Sequence, residues 1–163
     1  MRLLIALCYL SLSQAVPSQC IAKGRIQRLV SHSDVVVLAE ITAVEDVGAI
    51  WWSGQAVTRQ RVTYRVKEVL KGRLQGNIFE VGHPLYQNSF SADNEKPRLS
   101  PHLFKQGNTL LLFLNITKEM TKEVEGTYQV VKGFTTTDVN CGALTPDENL
   151  LDVVRKVSAQ RQR

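Results

Sequence analysis

The chain has 163 residues, 44% of them hydrophobic and 21% charged, with a formal net charge of +5. That balance fits one globular domain and excludes a collagen-like, coiled-coil or wholly disordered chain. Its longest apolar run, Leu3 to Leu12, has about ten residues where a mature membrane helix needs about 20, so stable membrane insertion is not expected.

Arg2, the run Leu3–Leu12 and the small-x-small triplet Ser13-Gln14-Ala15 have the order of a secretory signal peptide over residues 1–15. Residues 16–163 then form one domain, secreted to the extracellular space or, in a bacterium, to the periplasm. Removing residues 1–15 takes away Cys8 and leaves Cys20 and Cys141. In an oxidising compartment such a pair is most simply one disulfide, closing a loop of roughly 120 residues.

Ile21, Ala22, Ile26, Leu29 and Val30 recur at helical spacing, which predicts a short amphipathic helix over 21–31. Residues 34–44 read as a strand apolar on much of both faces, with Val35, Val37, Ala39, Ile41 and Ala43 on one side. Thr58–Leu70 alternates: Val62, Tyr64 and Val66 face inward, while Arg59, Arg61, Thr63, Arg65 and Lys67 face outward. Lys71-Gly72 is a turn and 77–81 a third strand. A polar, proline-containing stretch between His83 and Gln106 is too long for a passive hairpin and is expected to be a functional loop or partly disordered. Thr109–Leu114 is a central strand and 126–134 a fifth. A final helix over about 146–159 has Thr145 as N-cap, Pro146 at N1 and Glu148 completing a capping box. Leu150, Leu151, Val154 and Val157 are its buried stripe. Five short strands with a helix at each end make the fold class mainly β. A small five-stranded barrel is expected, with a β-sandwich as the alternative.

The segments Ser33-Asp34-Val35-Val36-Val37-Leu38-Ala39-Glu40, Val62–Gly72 and Gly107–Leu114, together with Cys20 just after the leader, carry a resemblance. This order resembles the netrin-like OB-fold domain of the tissue inhibitors of metalloproteinases, over roughly residues 20 to 141. It is also similar to secreted bacterial proteins of the same strand pattern. The resemblance implies an OB-like barrel and raises a metalloprotease as partner, with the Cys20 region as the inhibitory wedge. Those inhibitors begin with Cys-x-Cys, whose first amine and carbonyl chelate the target's zinc. Here Cys20 is followed by Ile21-Ala22, and Val16-Pro17-Ser18-Gln19 precedes it.

Sites of chemistry are sparse. His32, His83 and His102, with Asp93 and Glu95 nearby, lack the close ligand pairs that zinc sites use, so no metal is expected. No Gly-x-Ser-x-Gly, phosphate loop or dinucleotide fingerprint occurs, so no enzyme and no cofactor is expected. The row Arg59, Arg61, Arg65, Lys67 reads as a solvated face, and a secreted chain argues against a nucleic-acid client. Asn115-Ile116-Thr117 is an N-glycosylation acceptor, relevant in a eukaryote, placed in a turn after Leu114. Trp51-Trp52 falls between the first two strands beside Gly48 and Gly54. Both indoles cannot point inward from one strand face, so one is expected to cap the barrel and the other to meet a partner. The functional expectation is a secreted, non-enzymatic binding protein acting through loops at the barrel rim on an extracellular protein or glycan. The alternative is a metalloprotease inhibitor using Cys20.

Overall fold

Alternating apolar residues that are buried on both faces need two separate cores, and the chain supplies both. In the computed structural model the described residues are 18–52, 55–86, 103–124, 127–138 and 141–160; residues 1–15, expected to be a leader, lie outside them. Their elements in chain order are α1 (Ser18–Ile21), α2 (Lys23–His32), β1 (Val35–Trp52), β2 (Gln55–Lys71), β3 (Ile78–Tyr86), β4 (Thr109–Val124), β5 (Thr127–Thr136), β6 (Ala143–Leu144) and α3 (Glu148–Gln160). The strands run β1-β2-β3-β5-β4, and β4 returns to β1, closing a five-stranded OB-like barrel. All pairings are antiparallel except β3 with β5. The sandwich alternative does not apply.

Val35, Val37, Ala39 and Ile41 of β1 fill the barrel with Val62, Tyr64, Phe79, Val81, Leu110, Leu112 and Leu114. The intervening residues Val36, Leu111 and Phe113 face outward and are buried beneath Ile26, Leu29 and Val30 of α2 and Leu150, Leu151, Val154 and Val157 of α3. The period of two thus serves two cores at once on β1 and β4. Residue Ala43, expected on the inner face, is exposed instead. Ile41 stands opposite Tyr64 and Ala43 opposite Thr63, so Thr42 is the extra residue of a β-bulge. One inserted residue flips the phase, and Val44 rather than Ala43 packs on the barrel core.

The helices are fixed to the barrel by polar contacts as well as by packing. The first helix begins later than expected, at Lys23, after the separate turn α1. Ser33 closes α2, its N–H bonding the Leu29 carbonyl at 3.1 Å and its hydroxyl the same oxygen at 2.6 Å. Lys71 Nζ donates to the carbonyls of Val30 at 2.7 Å and Ser33 at 2.5 Å, placing a cation on the helix's free C-terminal carbonyls. Gly72 follows at φ +80°, and a Cβ there would run into the carbonyl oxygen of Asp34. For α3 the cap is Asp147, not Thr145. Its Oδ1 accepts from the Leu150 N–H at 2.8 Å and its carbonyl from the Leu151 N–H at 3.0 Å. Arg155 of α3 forks onto Glu68 of β2 at 2.9 and 3.3 Å, and the guanidinium holds the Glu68 carboxyl below its ordinary range.

Cys20 and Cys141 form the expected disulfide, with Cα atoms 5.5 Å apart. Both are buried in the outer core. Beside them Arg25 of α2 pairs with Asp138, whose Oδ1 also accepts from the Cys141 N–H at 2.9 Å. The N-terminal helices are therefore tied covalently and ionically to the segment between β5 and β6.

Candidate functional site

Two hairpins outrun the barrel that they close. β4 pairs with β1 only from Val35 opposite Leu114 to Glu40 opposite Thr109. β1 nevertheless continues to Trp52, paired with β2 through Val44 opposite Val62 and on to Trp52 opposite Gln55. β3 joins this ribbon as far as Tyr86, which stands opposite Val57. The second hairpin carries β4 past Leu114 to Val124, paired with β5 to Thr127. Trp51 and Trp52, expected in a loop, are instead the last residues of β1, opposite Ala56 and Gln55. Gly48, at φ +88°, sits in an irregularity within the strand rather than at its end.

The outer face of the ribbon is charge-paired. Lys67 Nζ lies 2.5 Å from Glu40 and holds that carboxyl below its ordinary range through a hydrogen bond and its charge. Arg61 contacts Glu45 at 3.2 Å, and Gln60 donates to Asp46 at 2.9 Å. Arg61 and Gln60 of β2 stand directly opposite their acidic partners on β1. Two cations of the row that looked basic in β2 alone, Arg61 and Lys67, are thus paired once β1 lies beside them. Arg65 is exposed.

The Cys20 region is placed differently from a presented wedge. Cys20 is fully buried, bonded to Cys141 and seated among Ile26, Leu29 and Val36 in the outer core. Asn115-Ile116-Thr117 lies inside β4 rather than in a turn, with Asn115 opposite Thr135. The Asn115 side-chain oxygen accepts from Thr137 at 3.3 Å, and Thr137 in turn meets the Ser33 hydroxyl at 2.7 Å.

The three histidines do not converge. His32 is exposed at the end of α2, whereas His83 is fully buried in β3; His102, Asp93 and Glu95 lie outside the described residues. Among the described residues no three His, Cys, Asp or Glu come together as a metal site. The long polar stretch is shorter than expected at both ends. His83 belongs to β3, and Phe104 is packed into the barrel core; residues 87–102 lie outside the described ones.

His83 is the residue that sequence reasoning missed. Its Nε2 lies 2.8 Å from the Tyr64 hydroxyl, and its ring stacks on Phe104 with centroids 4.3 Å apart. Burial pushes the imidazole down to about 3 and the Tyr64 phenol upward, so the pair is neutral at ordinary pH. Nδ1 of His83 has no partner among the described residues; neither has Oε1 of Gln60, which stands opposite His83 in the β2–β3 register. A signal was present: Phe79, Val81 and His83 alternate, so extending the third strand by two residues would have placed the imidazole inside.

Among the described residues no helix is long and apolar enough to cross a membrane. Comparison with protein-family models gives no match, and a search of curated proteins finds no relative.

Proposed function

We infer that this is a secreted, non-enzymatic binding protein whose contact surface is the end of the β1–β2 ribbon bearing Trp51 and Trp52. The observation that carries this reading is the continuation of β1 by twelve residues, Ile41 to Trp52, past its last pairing with β4. A projecting ribbon that ends in two tryptophans brings large, low-entropy anchors within reach of an extracellular protein or glycan. The disulfide supports an oxidising compartment. The paired charges along the ribbon support recognition by apolar anchors over recognition by net charge. Burial of Cys20 supports the rim over the metalloprotease wedge, which needs that residue's backbone presented to a target's zinc.

The test is capture of partners from the native extracellular milieu by the wild type and by the double variant W51A/W52A. Weakening by more than about 2 kcal/mol with an unchanged melting temperature is expected, the usual mark of an interface hot spot. Unaltered capture by the folded double variant would remove the reading.

A further inference from the structure

We propose that the seam between β3 and β5 is an acid-sensitive gate: protonation of His83 releases β3 from β5 and opens the aromatic end of the barrel while the rest of the fold stays closed. The seam is weak in backbone terms. β3 and β5 are in register at a single position, Val81 opposite Phe134. Across it the Phe79 and Phe134 rings meet edge to face at 5.5 Å, and Tyr64 of β2 backs Phe79, stacked on it at 5.4 Å. Beyond Val81, β3 pairs among the described residues with β2 alone, and Pro84 stands in that stretch, as prolines do on edge strands.

His83 sits two residues past that single point of closure, on the same inward phase as Phe79 and Val81. Among the described residues its surroundings offer an imidazolium no counter-charge. On β2, Tyr64 touches the ring and the neutral Gln60 stands opposite it. Asp46 of β1 is held on the Gln60 amide, and Arg61 is turned to Glu45. Glu80 of β3 is exposed on the outward phase, the residue of β5 at the seam is Phe134, and Lys105 beside Phe104 is exposed. A buried charge without a partner is relieved by exposure. The least costly exposure is the parting of a seam with one paired position. β1–β4 is no rival, since its ladder is continuous from Val35 to Glu40 and covered by α2 and α3.

In the open form the imidazole returns to its ordinary value, 6.5, so the open-to-closed ratio rises tenfold for each pH unit below that until the closed form itself protonates near 3. The experiment is strand-resolved hydrogen exchange on the full disulfide-bonded chain at pH 7.0 and 4.5, expressed as protection factors, for the wild type and for His83→Phe. Expected is a loss of about 100-fold in protection for 78–83 of β3 on acidification, with β3 less protected than Val35–Glu40 and Leu110–Leu114 at both pH values, and no such loss in His83→Phe. Protection of β3 equal to that of Val35–Glu40 at both pH values would show that His83 is exposed only by global unfolding and overturn the gate, as would an equal loss in His83→Phe. Unchanged protection of β3 at pH 4.5 would overturn it as well. If His83→Phe does not fold, nuclear magnetic resonance titration of the His83 ring in the wild type replaces it. Ring protonation in step with β3 exchange is expected, and protonation without a change in that exchange would reject the gate.

Discussion

The barrel is closed at two places by different physics. At β1–β4 the backbone does the closing, through an unbroken antiparallel ladder from Val35 to Glu40. Both faces there are buried, by the barrel interior on one side and by α2 and α3 on the other. At β3–β5 one paired position is supplemented by the rings of Phe79, Phe134 and Tyr64, with a neutral histidine just beyond. Side-chain closure depends on the chemistry of a few groups, whereas a ladder depends on none in particular. The stable half positions the fold, and the adjustable half adjoins the ribbon on which the proposed contact surface sits.

Removing the disulfide probes the stable half most severely. Cys20→Ala with Cys141→Ala should lower the unfolding free energy by about 5 kcal/mol in denaturant titration, the chain-entropy value for a loop of this size. A loss below about 1 kcal/mol would mean that Arg25–Asp138 and the apolar packing already hold the helices without it.

The double burial of β4 is tested by neighbouring leucines. Leu112 faces the barrel and Leu111 the helices, both fully buried. Truncating either to Ala should cost about 3 kcal/mol, within the usual range for a buried leucine. A cheap Leu111→Ala beside a costly Leu112→Ala would show that the helices cover the sheet without packing on it.

The adjustable half should show itself in pH dependence. His83 has its folded value pushed down to about 3 from 6.5. The unfolded chain therefore binds the proton first, so the stabilisation is present above pH 6.5 and is lost as pH falls toward 3. Between pH 7 and 5 the wild type should lose about 2 kcal/mol that His83→Phe does not lose, measured by denaturant midpoint at each pH. The smallest effect is expected where α3 meets β2. Arg155→Ala breaks a forked pair with Glu68, each side chain 41% exposed, and should shift the denaturant midpoint least of all, by an amount that shrinks with salt.

Much of the stable half was legible in the chain. Val35 to Ile41 and Val62 to Val66 carry their faces in plain alternation, and Leu110–Leu114, apolar at every position, announces a strand buried on both sides. Phase errors arose where one residue changes the count. Thr42 bulges and turns Ala43 outward, which no local propensity marks. β4 runs on through the polar Asn115-Ile116-Thr117 because β5 supplies a partner, a fact of pairing rather than composition. Asp147 displaces Thr145 as the cap of α3, since two capping residues two positions apart differ only in where the chain enters the helix. Of the candidate site, the tryptophans were visible by type, but their place at a strand end was not. The pairing of Arg61 and Lys67 in the basic row needed the β1–β2 register to appear.

Native hydrogen exchange of the wild type at pH 7, resolved by strand, tests the inequality of the two closures most directly. The slowest amides should lie in Val35–Glu40 and Leu110–Leu114, with those of β3 from Ile78 to Val81 the fastest within the barrel. Protection of β3 equal to that of β1 and β4 would contradict the account, for it would mean that the side-chain closure is as firm as the ladder.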